Sequence, residues 1–151
     1  MTEEIRYGKL TQTQLMAFLE HAFLARLATA VRSKEDPAFF QPHNTPVWFV
    51  WEDENLYISA FTSTRKVKEV RRNPYIAILI DTAEAVDGVS AVLVEGKSEW
   101  IDETGFVQEM SRKIYTKYMG ADGVLAEAPQ SWIIDPENSI IKLPPQQVYT
   151  W

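Results

Sequence analysis

The chain contains no cysteine. Disulfides, thiolate nucleophiles, cysteine-ligated zinc and iron–sulfur clusters are therefore excluded. Histidine is scarce too, with only His21 and His43. A catalytic zinc usually takes three protein ligands, so a metal centre would need carboxylates in support, and none is expected. No apolar run reaches the ~18–20 residues that span a bilayer. The start, Met1-Thr2-Glu3-Glu4, is acidic and lacks the apolar core of a secretory signal. Positive charge is in deficit. Fifteen Lys and Arg against 21 Asp and Glu leave a net charge of −6, so no nucleic-acid partner is expected. There is no repeat, no low-complexity segment and no linker. These absences fit one domain over residues 1–151, soluble and cytoplasmic.

What is present is apolar and aromatic. Apolar residues make up 46% of the chain, enough for an ordinary core, and five Trp supply large flat surfaces. Thr11-Gln12-Thr13-Gln14 reads as a capping box, followed at helical spacing by Leu15, Phe18, Leu19 and Ala22, so a helix is expected over about 11–21. Phe23 to Val31 reads as a strand. Arg32 to Asn44, polar and holding Pro37 and Pro42, reads as a long loop, a kind of segment that is often functional or mobile. Pro46 to Trp51 reads as a strand covered on both faces. Glu52-Asp53-Glu54-Asn55 turns it back into Leu56–Ala60.

Thr64 to Arg72 is a short helix stopped by Asn73-Pro74. Strands follow at Tyr75–Asp81 and Val89–Ile101, separated by a loop at Ala83–Gly88, with Gly96 as a candidate bulge. Asp102 is a candidate cap for a helix carrying Phe106, Met110, Ile114 and Tyr118 on one face and ending at Gly120. Trp132–Ile134, Ile140–Leu143 and Val148–Trp151 read as short strands, the first two flanking the turn Asp135-Pro136-Glu137-Asn138. The fold class is mainly β with about three peripheral helices. Short connections favour an antiparallel barrel of six or seven strands.

The segment richest in chemistry is Ser59-Ala60-Phe61-Thr62-Ser63-Thr64-Arg65-Lys66. A strand ends, three hydroxyl residues follow, and two cations open a helix. Free N–H groups at a helix start attract an anion. Ser63 and Thr64 can donate hydroxyl hydrogen bonds, Arg65 can fork onto two phosphate oxygens, and Lys66 adds a point charge. The plainer alternative makes Thr64 an N-cap and leaves Arg65 and Lys66 solvated. Against it, cations in a first helical turn oppose the macrodipole at a cost of ~0.3–1 kcal/mol each, which a bound anion removes.

Three stretches in order carry a family resemblance: Arg26-Leu27-Ala28-Thr29; Pro42-His43-Asn44-Thr45-Pro46-Val47-Trp48-Phe49; and Thr62-Ser63-Thr64-Arg65-Lys66 with Asn73-Pro74 after it. Together they resemble the pyridoxamine 5′-phosphate oxidase-like family of FMN-binding split β-barrels, over roughly residues 11–101 and more loosely the C-terminal strand. The resemblance implies a homodimer with flavin at the interface. Arg65 and Lys66 would hold the FMN phosphate, with Ser63 and Thr64 beside them. Ser59 and Ala60 would line the flavin, Thr45, Pro46, Val47 and Trp48 would run beside its ring, and Ala28 and Thr29 would lie near it. Pro46 and Trp51 stand where the true oxidases carry basic residues. Pro144-Pro145-Gln146-Gln147 and Val148-Tyr149-Thr150-Trp151 stand where those enzymes bind substrate. The likeness is thus to a related branch rather than to the oxidase itself.

The implied function is flavin-dependent redox chemistry on a small substrate by hydride transfer, with a deazaflavin coenzyme as the near alternative. A non-enzymatic flavin or haem carrier, or a stress-linked sensor, is the competing class. The cofactor would do the chemistry, which agrees with the lack of a paired acid and base in the sequence. His43 reads as an exposed loop residue, and Arg71 and Arg72 as solvated cations within reach of the phosphate. Trp48, Trp51, Trp100 and Trp132 read as strand residues, with Trp48 nearest the cofactor and Trp151 exposed or docked at the terminus.

Overall fold

The computed structural model describes residues 4–151, and the acidic start at Met1–Glu3 lies outside them. A two-residue ladder, β1 (Arg6–Tyr7) on β2 (Leu10–Thr11), leads into α1 (Gln12–Glu20). The capping box forms as expected. The Thr11 hydroxyl accepts the Gln14 N–H at 3.1 Å, and the Gln14 side chain accepts the Thr11 N–H at 3.0 Å. Leu15, Phe18 and Leu19 bury the inner face of α1.

Two antiparallel sheets carry the rest. The larger orders β11-β8-β7-β3-β4, from β3 (Ala25–Arg32), β4 (Phe40–Val47), β7 (Tyr75–Val86), β8 (Val89–Lys97) and β11 (Gln147–Thr150). The smaller orders β5-β6-β10-β9, from β5 (Phe49–Glu52), β6 (Asn55–Phe61), β9 (Glu99–Ile101) and β10 (Asn138–Leu143). Among the described residues their ladders do not join into one closed cylinder.

Both runs expected to be single strands are broken, and for one reason. Pro46–Trp51 divides at Trp48, and Val89–Ile101 divides at Ser98, because at each point the chain leaves the larger sheet and enters the smaller. Ser98 holds its corner by donating both its N–H (2.7 Å) and its hydroxyl (2.8 Å) to the Pro74 carbonyl. The main core lies between the sheets, from Leu27, Ile78, Ile80 and Val92 on one side to Phe49, Leu56, Ile58 and Ile141 on the other. α3 (Thr104–Gly123) and α4 (Glu127–Ile134) cover the outer face of the smaller sheet around Tyr57, Met110, Ile114 and Ile133. β6 is thus covered on both faces, which explains its nearly continuous apolar run.

Other expectations need correction. The polar loop is shorter than 32–44, because β4 begins at Phe40. Its polar sequence reflects an edge strand with an exposed face, where Pro42 and Pro46 are tolerated. Most of 83–88 is strand, and the turn is confined to Asp87 and Gly88, both at positive φ. Gly96 marks no bulge. It pairs in register with Ile76, and a Cβ there would stand 2.6 Å from the Pro144 carbonyl oxygen, so close approach is what requires glycine. Glu103, not Asp102, caps α3, accepting from Gly105 and Phe106 N–H. Trp132–Ile134 is helical, in α4, which brings the helices to four with α2 (Arg65–Arg72). Strands number eleven among the described residues, counting the two-residue pairs. Gly120, at φ +81°, does break α3 as read.

Candidate functional site

The turn before α2 is already engaged by an anion of the chain itself. Glu137, in the turn before β10, accepts the Thr62 hydroxyl at 2.7 Å and the Ser63 N–H at 3.1 Å. Its own carbonyl accepts the Thr62 N–H at 2.7 Å. Thr64 has the backbone of an N-cap but does not act as one, since its hydroxyl donates to the Phe61 carbonyl at 2.6 Å. The first turn of α2 therefore has no side-chain cap and no acidic residue. The local preference for an anion is real, and Glu137 meets part of it.

Arg65 and Lys66 diverge, as successive residues of a 3.6-residue turn must. Arg65 folds along the helix onto Glu69 and faces a cleft of about 670 Å³. Lys66 turns to the opposite side. It lines a cavity of about 330 Å³ with Leu24, Pro46, Val47, Trp48, Ser59 and Tyr115. It also lines an adjoining one of about 120 Å³ with Ser59, Ala60, Phe61, Thr64, Tyr115 and Asn138. Burial pushes the Lys66 ammonium below the ordinary lysine value, and among the described residues no carboxylate pairs with it. It is a partly desolvated cation facing a cavity.

Between Arg65 and the larger sheet lies the buried carboxylate of Glu69. It accepts the Thr29 hydroxyl at 2.7 Å and the Arg65 guanidinium, and His43 Nδ1 stands 3.5 Å away. Burial alone would raise its pKa, but the Thr29 and Arg65 hydrogen bonds, with the charge of Arg65 and His43, hold it below the usual carboxylate value. His43 is a half-buried strand residue rather than a loop residue, and its Nε2 is 3.2 Å from the Thr45 hydroxyl. Thr29, Arg65 and His43 thus gather around Glu69, with Thr45 on the far side of the imidazole, and His43 Nδ1 is buried without a hydrogen-bond partner among the described residues.

On the Lys66 side, a second network fixes the wall. Ser59 donates to Asn138 Oδ1 at 3.0 Å and stands 3.0 Å from the Tyr115 hydroxyl. Asn138 donates in turn to the Ser111 hydroxyl at 2.9 Å. Trp48 stacks on Tyr118 with centroids 4.8 Å apart and planes 3° from parallel, and meets Tyr115 edge-on. Tyr118 is anchored by donating to the Phe23 carbonyl at 2.6 Å, and burial pushes its phenol up to about 12.

The expected residues therefore fall into two groups. Pro46, Val47, Trp48, Ser59, Ala60, Thr64 and Lys66 meet around the two smaller cavities. Thr29, Thr45 and Arg65 meet through Glu69 and His43, and Ser63 lies on the large cleft. Ala28 and Thr29 point to opposite faces of β3, Ala28 exposed and Thr29 buried, as a period of two requires. Of the other residues singled out, Arg71 stacks over Trp100 at 4.1 Å, Arg72 lines the large cleft, and Trp151 is 55% exposed. Sequence reasoning missed Glu69, Tyr115 and Glu137. The i,i+4 spacing of Arg65 and Glu69 was a signal for the first, and the 3.6-residue period through Ser111 and Tyr115 places them on the buried face of α3.

The model of the family described as pyridoxamine 5′-phosphate oxidase matches residues 11–151. The chain belongs to that family, and the match extends well past the stretch that carried the resemblance. No curated protein matches the sequence significantly. Among solved structures, a conserved hypothetical protein, Rv2991 from Mycobacterium tuberculosis, is similar with a TM-score of 0.74 at 16% identity, over 99% of this chain and 89% of that one. An F420 reductase is similar with a TM-score of 0.66 at 23% identity, over 87% and 93%. A FAD-binding protein from Mesorhizobium loti is similar with a TM-score of 0.62 at 20% identity, over 92% of each. At such identities the likeness speaks for the fold alone. No helix among the described residues is long and apolar enough to cross a membrane.

Proposed function

We propose that this protein is a flavin-dependent oxidoreductase with FMN as its cofactor, acting on a small substrate and distinct from pyridoxamine phosphate oxidation itself. One observation carries the reading. The β4–β5 corner at Pro46–Trp48, Ser59–Ala60 of β6 and Lys66 of α2 converge on adjoining cavities where, among the described residues, a partly desolvated lysine has no carboxylate partner. The donor set suits a phosphorylated aromatic ligand. Lys66 supplies charge for a phosphate, Ser59 a hydroxyl held in place by Asn138 and Tyr115, and Trp48 an apolar wall with one face already stacked. FMN, when bound, supplies hydride and electron transfer. The chain's own part is to grip the phosphate, orient the ring and exclude water.

We read the two sheets as the halves of a split barrel whose site is completed by a second copy. A cavity of about 330 Å³ is at the small end for a cofactor, and Pro46, which lines it, is exposed on the larger sheet, as is Ala28 on the neighbouring strand. A homodimer would cover that face and enlarge the site. A cytoplasmic address agrees with this chemistry.

The test is direct. Lys66→Ala removes the one cation that, among the described residues, lines both cavities. Charge-assisted hydrogen bonds are worth ~1.5–3 kcal/mol each, so FMN affinity should fall by about tenfold or more, while circular dichroism shows the fold retained. Flavin fluorescence titration reads the affinity, and an unchanged value would overturn the assignment. A protein that ignores FMN but takes up a deazaflavin would shift the cofactor and leave the oxidoreductase reading in place.

A further inference from the structure

One cleft beside α2 is not used by the flavin reading. The cleft of about 670 Å³ lies between the outer face of α2 and the segment leaving β3, and it shares no lining residue with either cavity around Lys66. Five cations line it, Arg32, Lys34, Arg65, Lys68 and Arg72, against two carboxylates, Glu35 and Glu69. In a chain with net charge −6, this concentration of positive charge opposes the overall field.

The arrangement follows from the sequence. Arg65, Lys68 and Arg72 stand at i, i+3 and i+7, which is one stripe of a helix. Arg32 ends β3 and Lys34 lies in the bend just after it, and both line the cleft. Cations from two segments therefore share one cleft. Not all of them are free. Arg65 is paired with Glu69, and Arg32 donates to the Pro37 carbonyl at 2.8 Å and lies 5.1 Å from the Phe40 ring centroid. Among the described residues Lys34, Lys68 and Arg72 have no carboxylate partner. Like charges in one cleft repel, and the natural relief is a bound polyanion.

The length of the helical stripe sets the kind of anion. Arg65 and Arg72 are separated by seven helical steps, about 10 Å along the axis. A single phosphate spans too little to meet both ends. We propose that this cleft binds a small molecule carrying two or more phosphate groups, at a site separate from the Lys66 cavities. Arg72 and Arg32 offer forked donors suited to phosphate oxygens, and Lys34 and Lys68 act as adjustable point charges. Such a ligand would be a co-reactant placed beside the proposed flavin site, but the binding claim stands without that reading.

Calorimetric titration with inorganic tripolyphosphate tests it, with orthophosphate as the single-anion control. The expected result is one site per chain, binding tripolyphosphate at least tenfold tighter than orthophosphate and weakening as salt rises. Lys68→Ala with Arg72→Ala should cut tripolyphosphate affinity tenfold or more, yet leave FMN titration unchanged, since neither residue lines the Lys66 cavities. Competition by NADPH stronger than by NADH would support a dinucleotide as the source of the phosphates; competition by ATP stronger than by NADPH would support a nucleoside triphosphate. No tripolyphosphate binding at low salt, equal affinity for orthophosphate, or a double variant that binds like wild type would each overturn the proposal. Failure of FMN binding alone would leave it intact.

Discussion

Replacing Glu69 by Gln should loosen the fold by a calculable amount, because the substitution keeps the side chain's size and removes only its charge. Glu69 is 5% exposed and accepts from Thr29 and from Arg65. Hydrogen bonds to a charged group are worth ~1.5–3 kcal/mol and neutral ones ~0.5–1.5. Arg65 is more than half exposed, so its share belongs at the low end. The expected loss is about 1.5–3 kcal/mol at neutral pH, or a Tm lower by roughly 4–9 °C for a domain of this size. The pH dependence supplies an independent reading. The folded-state pKa of Glu69 lies below its ordinary 4.5. Its contribution is therefore complete above that value and is lost as pH falls through the lowered folded pKa. Urea denaturation followed by tryptophan fluorescence, at pH 7 and again below pH 4, measures both. The gap between wild type and Glu69→Gln should be wide at pH 7 and narrow in acid. A variant within ~0.5 kcal/mol of wild type at pH 7, or a gap that does not narrow in acid, would refute the reasoning.

Two further outcomes can be read from the same kind of experiment. Gly96→Ala would set a Cβ 2.6 Å from the Pro144 carbonyl and 3.3 Å from the Gln146 nitrogen, both backbone atoms, so a loss of about 1–3 kcal/mol is expected and wild-type stability would contradict it. Lys117 donates to the Leu19 and Phe49 carbonyls, and burial, partly offset by Glu20, lowers its ammonium to about 8. The unfolded chain then holds that proton more tightly, so wild-type stability relative to Lys117→Met should climb between pH 8 and 10.5; a flat difference across that range would count against the buried ammonium.

Two element ends were legible in the sequence. Thr11 with Gln14, and Asn73-Pro74, act through local hydrogen bonds and local sterics, so the chain declares them without help from its tertiary surroundings. The sheet-switching corners were not legible. Trp48 and Ser98 lie inside runs that hold apolar residues on both sides, and only three-dimensional closure distinguishes one sheet from the other. Trp132–Ile134 was misread because a short apolar run has no period long enough to separate strand from helix. For the site, the cationic helix start was visible, and its division into two sides was implicit in the helical step between Arg65 and Lys66. Glu137 could not have been placed, since it lies 75 residues from Thr62 in sequence and reaches it only through the pairing of β10 with β6.

The two corners have a consequence for how the molecule comes apart. Because the chain passes from one sheet to the other at both Trp48 and Ser98, neither sheet is a contiguous piece of sequence. Peeling the smaller sheet away would pull on β4 and β8, which sit in the larger one. The two layers are thus tied into a single cooperative unit, with no seam along which half the molecule could open while the other half stayed folded. A pocket whose wall includes one of those ties, as the Trp48 cavity does, inherits the rigidity of the whole.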